Sequence, residues 1–170
     1  SCSTGSLSHT PCLPGTKQPE PGEGRCARCD AGEYQDAEGQ TACFTCSAGH
    51  YCGAGASAPL PCPSGRHQNG TMTLLNLSMT SEDDCVPCPP GHACVTGAAE
   101  PAPCAPGSYA PNSSMAACLR CKAGSWQDES GVTACKPCEV ASWCAEGSSA
   151  PTACGPGTVG RRLGLGSKEA

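Results

Sequence analysis

The sequence predicts a fold of small disulfide-rich repeats, an elongated rod of short β-ribbons and turns with little helix. Three observations predict it. Cysteine supplies 18 of the 170 residues, alongside 22 Gly and 17 Pro, which is the composition of a disulfide scaffold. Aromatics make up only 4% and there is a single Phe, too little material for the apolar core expected at this length. The cysteines also recur at a fixed offset. Cys26, Cys29, Cys43, Cys46, Cys52 and Cys62 reappear 92 residues later as Cys118, Cys121, Cys135, Cys138, Cys144 and Cys154, while Cys2 and Cys12 map onto Cys94 and Cys104. Such an array is quasi-one-dimensional, each unit meeting mainly its neighbours. Cross-links replace the core, each contributing about 2–4 kcal/mol by restricting the unfolded chain.

Residues 1–26 form a partial cysteine-rich unit, in which Pro14-Gly15 and Pro19-Glu20-Pro21-Gly22 are turn signals that preclude a long helix. Residues 27–87 hold further cysteine-rich repeats. Between Cys62 and Cys85 the usual 13-residue spacing grows to 22, and the extra length reads as a glycosylated insertion at about 67–84. It contains the most apolar run of the chain, Met72-Thr73-Leu74-Leu75. Loops accept such additions at small entropic cost. Residues 88–157 repeat the first part in register. Residues 158–170 lack cysteine, carry the Arg161-Arg162 pair and read as a linker or the start of a next unit. Between fixed cysteines only antiparallel strand pairs of about two to four residues fit.

Inside the ladder lies a second pattern, Cys-x-x-Gly-x-aromatic. It occurs at Cys29/Gly32/Tyr34, Cys46/Gly49/Tyr51, Cys104/Gly107/Tyr109 and Cys121/Gly124/Trp126. Cys138/Ala141/Trp143 keeps the ring without the glycine, and Cys88/Gly91/Ala93 does the reverse. Glycine permits a tight or left-handed turn after the cysteine. Tyr34, Tyr51, Tyr109, Trp126 and Trp143 are then expected to cover the disulfides as miniature cores.

Disulfides persist in oxidising compartments, so the chain is expected to be extracellular or at a cell surface, reached through the secretory pathway. Three acceptor triplets for N-glycosylation agree: Asn69-Gly70-Thr71, Asn76-Leu77-Ser78 and Asn112-Ser113-Ser114. A net charge of −5 argues against nucleic acid or anionic membrane as the main partner. No stretch reaches the roughly 18 apolar residues that span a bilayer. The repeat is cut mid-unit at both ends and no secretory signal opens the chain, so a longer parent protein is expected, with its other domains as partners.

Other chemistries fit less well. Cys26-x2-Cys29-x13-Cys43-x2-Cys46 has the paired spacing of a structural zinc site, as does Cys118 to Cys138. That reading leaves Cys52, Cys62 and their copies as free thiols, so no metal and no cofactor is expected. Cys26-Ala27-Arg28-Cys29 and Cys135-Lys136-Pro137-Cys138 sit among Gly- and Pro-rich loops, away from the βαβ setting of a redox centre. His50 and His92 hold equivalent repeat positions, which makes them turn residues. No calcium-loop spacing and no nucleophile–base pairing stands out, and no catalytic residue is expected.

The phrases Cys29-Asp30-Ala31-Gly32-Glu33-Tyr34 through Gly39-Gln40-Thr41-Ala42-Cys43, and Cys121 through Cys135, resemble the cysteine-rich repeats of ephrin-receptor-like extracellular proteins and, more distantly, tumour necrosis factor receptor modules. The likeness covers about residues 2–157. The 13-residue loops point to Cys29–Cys43 and Cys121–Cys135. For the four-cysteine units, the crossed arrangement of receptor and epidermal-growth-factor-type modules implies Cys46–Cys62 with Cys52–Cys85, and Cys88–Cys104 with Cys94–Cys118. It also implies Cys2–Cys26 and Cys138–Cys154, leaving Cys12 and Cys144 to outside partners. A local alternative joins Cys46–Cys52 and Cys62–Cys85. The resemblance implies a non-enzymatic structural spacer of a larger cell-surface or matrix glycoprotein, a stalk that supports assembly or adhesion, or lines a filament, with possible protein partners in a surface assembly. A receptor ectodomain binding a protein ligand along the rod is the alternative it implies.

Overall fold

A computed structural model of the protein describes residues 10–18, 20 and 25–155. Cys2 and the segment 158–170 lie outside the described residues. Among the described residues the chain is almost entirely two-residue strands joined by turns, paired into eight two-stranded ribbons. The ribbons are Thr16–Lys17 with Ala27–Arg28 (β1–β2), Glu33–Tyr34 with Phe44–Thr45 (β3–β4), and His50–Tyr51 with Leu60–Pro61 (β5–β6). Next come Arg66–His67 with Val86–Pro87 (β7–β8) and His92–Ala93 with Ala102–Pro103 (β9–β10). The last three are Ser108–Tyr109 with Leu119–Arg120 (β11–β12), Ser125–Trp126 with Lys136–Pro137 (β13–β14), and Ser142–Trp143 with Thr152–Ala153 (β15–β16). The only α-helix among the described residues is Gly70–Leu74 (α1), and a single 3₁₀ turn spans Glu82–Asp84.

This regularity exposes a period finer than the 92-residue offset. A repeat opens at Cys12, Cys29, Cys46, Cys62, Cys88, Cys104, Cys121 and Cys138, and successive openings are 16 or 17 residues apart except for the 26 from Cys62 to Cys88. The first strand of each repeat begins four residues after its opening cysteine, and the second ends just before the next opening cysteine. The cysteine that closes the disulfide comes in two placements. Cys12–Cys26, Cys29–Cys43, Cys104–Cys118 and Cys121–Cys135 have a separation of 14, and the inserted repeat stretches this to 23 in Cys62–Cys85. Cys46–Cys52, Cys88–Cys94 and Cys138–Cys144 have a separation of 6.

Every disulfide is therefore closed inside one repeat, and the crossed pairings Cys46–Cys62, Cys52–Cys85, Cys88–Cys104, Cys94–Cys118 and Cys138–Cys154 do not form. Cys12 and Cys144 have partners within the chain, and Cys26 is bonded to Cys12 rather than to Cys2. The physical reason is the turn after the opening cysteine. In the short-loop repeats the chain reverses at the third residue, and the first strand carries the sixth residue back beside the start, at a Cα–Cα distance of 5.9 Å for Cys46 and Cys52. Cys62 meanwhile opens a turn of its own. Cys154 takes the same backbone role, its N–H donating to Ala141 O at 2.8 Å, and is half-buried with no disulfide partner among the described residues.

The described residues fall into two compact units. The first comprises the described residues up to Pro63, with His67–Val86 and Thr96–Glu100. Its successive repeats are joined by a four-rung backbone ladder, seen between the repeats opened by Cys29 and Cys46. Cys46 N–H donates to Gly32 O (2.9 Å), Gly32 N–H to Cys52 O (2.7 Å), Gln35 N–H to Ala56 O (3.1 Å) and Gly55 N–H to Cys29 O (2.8 Å). The second unit comprises Ser64–Arg66, Pro87–Val95 and the described residues from Pro101 onwards. There Cys121 N–H donates to Gly107 O (2.9 Å), Gly107 N–H to Gln127 O (2.7 Å), Ala110 N–H to Val132 O (3.1 Å) and Gly131 N–H to Cys104 O (2.9 Å). The same rungs in both units satisfy backbone groups that short ribbons alone would leave open. Among the described residues the buried apolar set is mostly cystine, with Met79, Ala98 and Ala110 the other members.

The ladder requires a left-handed residue three places after each opening cysteine. Gly15, Gly32, Gly49, Gly65, Gly91, Gly107 and Gly124 all have φ between 74° and 89°, and Ala141 takes φ 63°. Space adds a second constraint at Gly49, where a Cβ would overlap the carbonyl oxygen of Gly97. Left-handed backbone costs an L-residue about 1–2 kcal/mol. Gly49→Ala is thus expected to destabilise the protein by at least that amount, whereas Ala141→Gly is expected to raise stability by up to about 1 kcal/mol. Thermal unfolding of the oxidised variants checks both. Equal behaviour of the two would contradict the assignment.

Candidate functional site

The repeat that departs from the pattern is the one closed by Cys62–Cys85, and its extra residues fold into a small cap within the first compact unit. Asn69 is extended at φ −73° and ψ 101°, and its side-chain oxygen accepts from Thr71 N–H at 3.1 Å, capping α1. Asparagine suits this place because its short carbonyl arm reaches an otherwise unpaired N–H of the first turn. The helix stops after one turn. Leu75 N–H donates to Thr71 O and Met72 O, and Asn76 follows in the left-handed conformation at φ 53°. Leu77 N–H then returns to Met72 O at 2.9 Å. The returning chain drops Met79 into a cluster with Cys62 and Cys85, against which Tyr51 and Met72 pack. Asp84 ties the exit, accepting from Thr80 N–H, Ser81 N–H and the Thr80 hydroxyl. The Thr80 amide holds its carboxyl below the usual carboxylate range, and Ser81 adds to this.

Gln68 joins the cap to the neighbouring repeat. Its Oε1 accepts from Gly49 N–H at 2.9 Å, and its Nε2 donates to the Thr73 hydroxyl at 2.7 Å. Two open pockets flank this bridge. One of about 260 Å³ is lined by Thr45, Ser47, His50, Gln68, Thr73 and Asn76, among others. The other, of about 510 Å³, is lined mostly by Ala48, Gly70, Leu74 and Ala99 with Glu100 at one side. His50 Nδ1 lies 2.9 Å from Ala48 O. A carbonyl only accepts, so Nδ1 is the donor in this contact. The first pocket therefore offers hydroxyls, amides and one imidazole for hydrogen bonding beside an apolar wall of Leu77 and Met79. The leucines of the cap are exposed. Leu74, Leu75 and Leu77 are 85%, 63% and 55% exposed.

The sequence-predicted residues distribute as follows. Asn76 and Asn112 are exposed and Asn69 is half-buried; the first two triplets bracket the helix and the third lies in the second unit. The rings Tyr34, Tyr51, Tyr109, Trp126 and Trp143 are half-buried and occupy one position in each ribbon, opposite a second-strand residue. Tyr34 faces Phe44 with centroids 5.8 Å apart, Tyr51 faces Leu60, Tyr109 faces Leu119 and Trp143 faces Thr152. Trp126 faces Lys136, whose Nζ lies 5.2 Å from the ring centroid and 2.7 Å from Asp128. That hydrogen bond lowers the Asp128 pKa and raises that of Lys136. Cross-strand pairing is thus the common role of the rings, and Tyr51 also packs at the Cys62–Cys85 disulfide.

Sequence reasoning passed over the glutamines. Gln35 and Gln127 are 1% and 3% exposed, each six residues after an opening cysteine, the place taken by Cys52, Cys94 and Cys144 in the short-loop repeats. Each spans its own loop. Gln35 Nε2 donates to Ala42 O (2.7 Å) while its Oε1 accepts from Ala37 N–H (3.0 Å). Gln127 does the same with Ala134 O (2.9 Å) and Glu129 N–H (3.1 Å). The readable signal was their recurrence at one repeat position. No family model matches the chain, and no curated protein matches it. Among the described residues no group of three or more His, Cys, Asp or Glu could hold a metal ion, and no helix is long and apolar enough to cross a membrane.

Gln127→Leu roughly keeps the volume but removes both hydrogen bonds that span the loop, so at about 0.5–1.5 kcal/mol for each a loss of about 1–3 kcal/mol is expected. Thermal unfolding and faster hydrogen exchange at Glu129 N–H check it. Unchanged stability and exchange would show that the loop holds itself.

Proposed function

We propose that this chain is a structural segment of a larger extracellular or cell-surface glycoprotein, a disulfide-stapled spacer that positions other domains of the same chain or supports adhesion and assembly. The observation that carries the reading is the ladder itself. It is made of backbone groups and cystines, so it is indifferent to most surface side chains and can be extended repeat by repeat. Eight disulfides require an oxidising compartment, in keeping with an extracellular place. The likeness to ephrin-receptor-like and receptor-type cysteine-rich repeats supports the same reading. Its mechanism is mechanical: each short loop is closed covalently, and local opening of one repeat does not release the next.

A second reading, a ligand-binding receptor ectodomain, is favoured by one feature, the apolar cap around Leu74, Leu75 and Leu77. Two changes in the full-length protein separate the readings. Deleting residues 68–76 is expected to leave assembly and adhesion intact under the spacer reading. Replacing both Cys104 and Cys118 by Ser is expected to open a protease-sensitive loop and impair the protein's mechanical role. Loss of partner capture in a folded deletion variant, with the cysteine variant still functional, would favour the receptor.

A further inference from the structure

The cap leaves a physical problem. A one-turn helix with no buried residue is too short to be stable by itself, yet Leu74 at its end and Leu75 and Leu77 just beyond are exposed to solvent. Clustered exposed apolar side chains mark a place that something covers. Two acceptor asparagines flank Leu74 and Leu75, Asn69 at the N-cap and Asn76 directly after the C-cap residue Leu75, with Leu77 next in the chain. We propose that Asn69 and Asn76 both carry N-linked glycans, and that these glycans cover Leu74 and Leu75 between them and Leu77 beside Asn76.

The local chemistry suits the modification at both ends. At Asn69 the cap uses only Oδ1, which accepts from Thr71 N–H. Glycosylation consumes a hydrogen of Nδ2 and leaves that carbonyl oxygen free to accept, so helix capping and glycan attachment coexist. In the transfer, Nδ2 attacks the anomeric carbon of a lipid-pyrophosphate-linked oligosaccharide. The new C–N bond forms as the C–O bond to pyrophosphate breaks, the lipid pyrophosphate leaves, and the Nδ2 proton passes to a base. Asn76 is exposed, and its left-handed backbone (φ 53°) puts it at a sharp reversal of the chain. Asn76 also lines the pocket of about 260 Å³ whose hydroxyls, amide and imidazole come from Thr45, Ser47, His50, Gln68 and Thr73. Those groups can hydrogen-bond the innermost N-acetylated sugar. The apolar faces of sugar rings then shield Leu74, Leu75 and Leu77. Asn112 lies in an exposed loop whose one large apolar side chain, Met115, is half-buried, so a glycan there has nothing comparable to cover.

The proposal rests on passage through the secretory pathway, and the test keeps the two apart. The full chain is secreted from a eukaryotic cell and treated with a glycoamidase in ¹⁸O water, so that each glycosylated asparagine becomes an ¹⁸O-labelled aspartate. Peptides containing Asn69 and Asn76 are expected to carry the label. Binding of an apolar fluorescent dye to the still-folded protein is expected to rise severalfold on deglycosylation. The rise is expected to persist in Asn112→Gln and to vanish when Leu74, Leu75 and Leu77 are all replaced by Ser. Either site unlabelled in secreted protein, an unchanged dye signal, or an equal rise in the triple-serine variant overturns the proposal. A secreted, disulfide-bonded chain labelled at Asn112 alone sinks the glycan cover and leaves the extracellular reading standing. A chain that fails to enter the pathway sinks both.

Discussion

The structure depends on one left-handed residue per repeat. At that position the backbone reverses so that its carbonyl meets the N–H of the next opening cysteine, while its own N–H reaches into the next repeat. Gly32 does both, accepting from Cys46 N–H and donating to Cys52 O; Gly107 does both, with Cys121 N–H and Gln127 O. Everything else in a repeat is placed by this reversal. The first strand starts one residue later, the aromatic sits at its second position, and the sixth residue comes back beside the opening cysteine. A cysteine there closes a short loop, and in the loops closed by Cys43 and Cys135 a glutamine there, Gln35 or Gln127, braces a long one. Two chemically different residues thus solve the same geometric problem, one covalently and one with two hydrogen bonds.

Such a design needs no large apolar interior. Two-residue ribbons are far below the size at which an isolated hairpin is stable in water, and the conformational entropy of ordering each residue is substantial. Closing a loop of about 15 residues offsets roughly 3 kcal/mol of that in the chain-entropy model. The backbone rungs contribute a net 0.5–1.5 kcal/mol each by ordinary estimates, about the same whatever side chains decorate them. Surface side chains consequently contribute little to holding a repeat together, which suits the proposed spacer role. The exception is the cap closed by Cys62–Cys85, where side chains matter individually: Asn69 starts the helix, Met79 anchors the return and Asp84 fixes the exit.

The sequence made the class of fold plain because cysteine spacing is a direct record of covalent geometry. The role of glycine after each opening cysteine was equally legible, since only a left-handed turn explains it, and Ala141 confirms that the backbone and not the residue type sets the conformation. The rings were placed at the right position but given a partial role. A position opposite Phe44, Leu60 or Leu119 depends on register, which two-residue strands do not announce. Pairing within the four-cysteine units was misread because the 92-residue offset hid the 16- to 17-residue period. Once the opening cysteines are aligned, Cys46 and Cys62 hold equivalent places in successive repeats. Gln35 and Gln127 stayed silent for the same reason, as their recurrence only shows against the shorter period.

The central claim is that each disulfide closes inside its own repeat. Peptide mapping of the native protein without reduction, with thiols blocked at low pH to prevent exchange, tests it most directly. The account predicts linked peptides for Cys46–Cys52, Cys88–Cys94 and Cys138–Cys144, together with Cys62–Cys85 across the cap. Linked peptides joining Cys46 to Cys62, or Cys88 to Cys104, would contradict it.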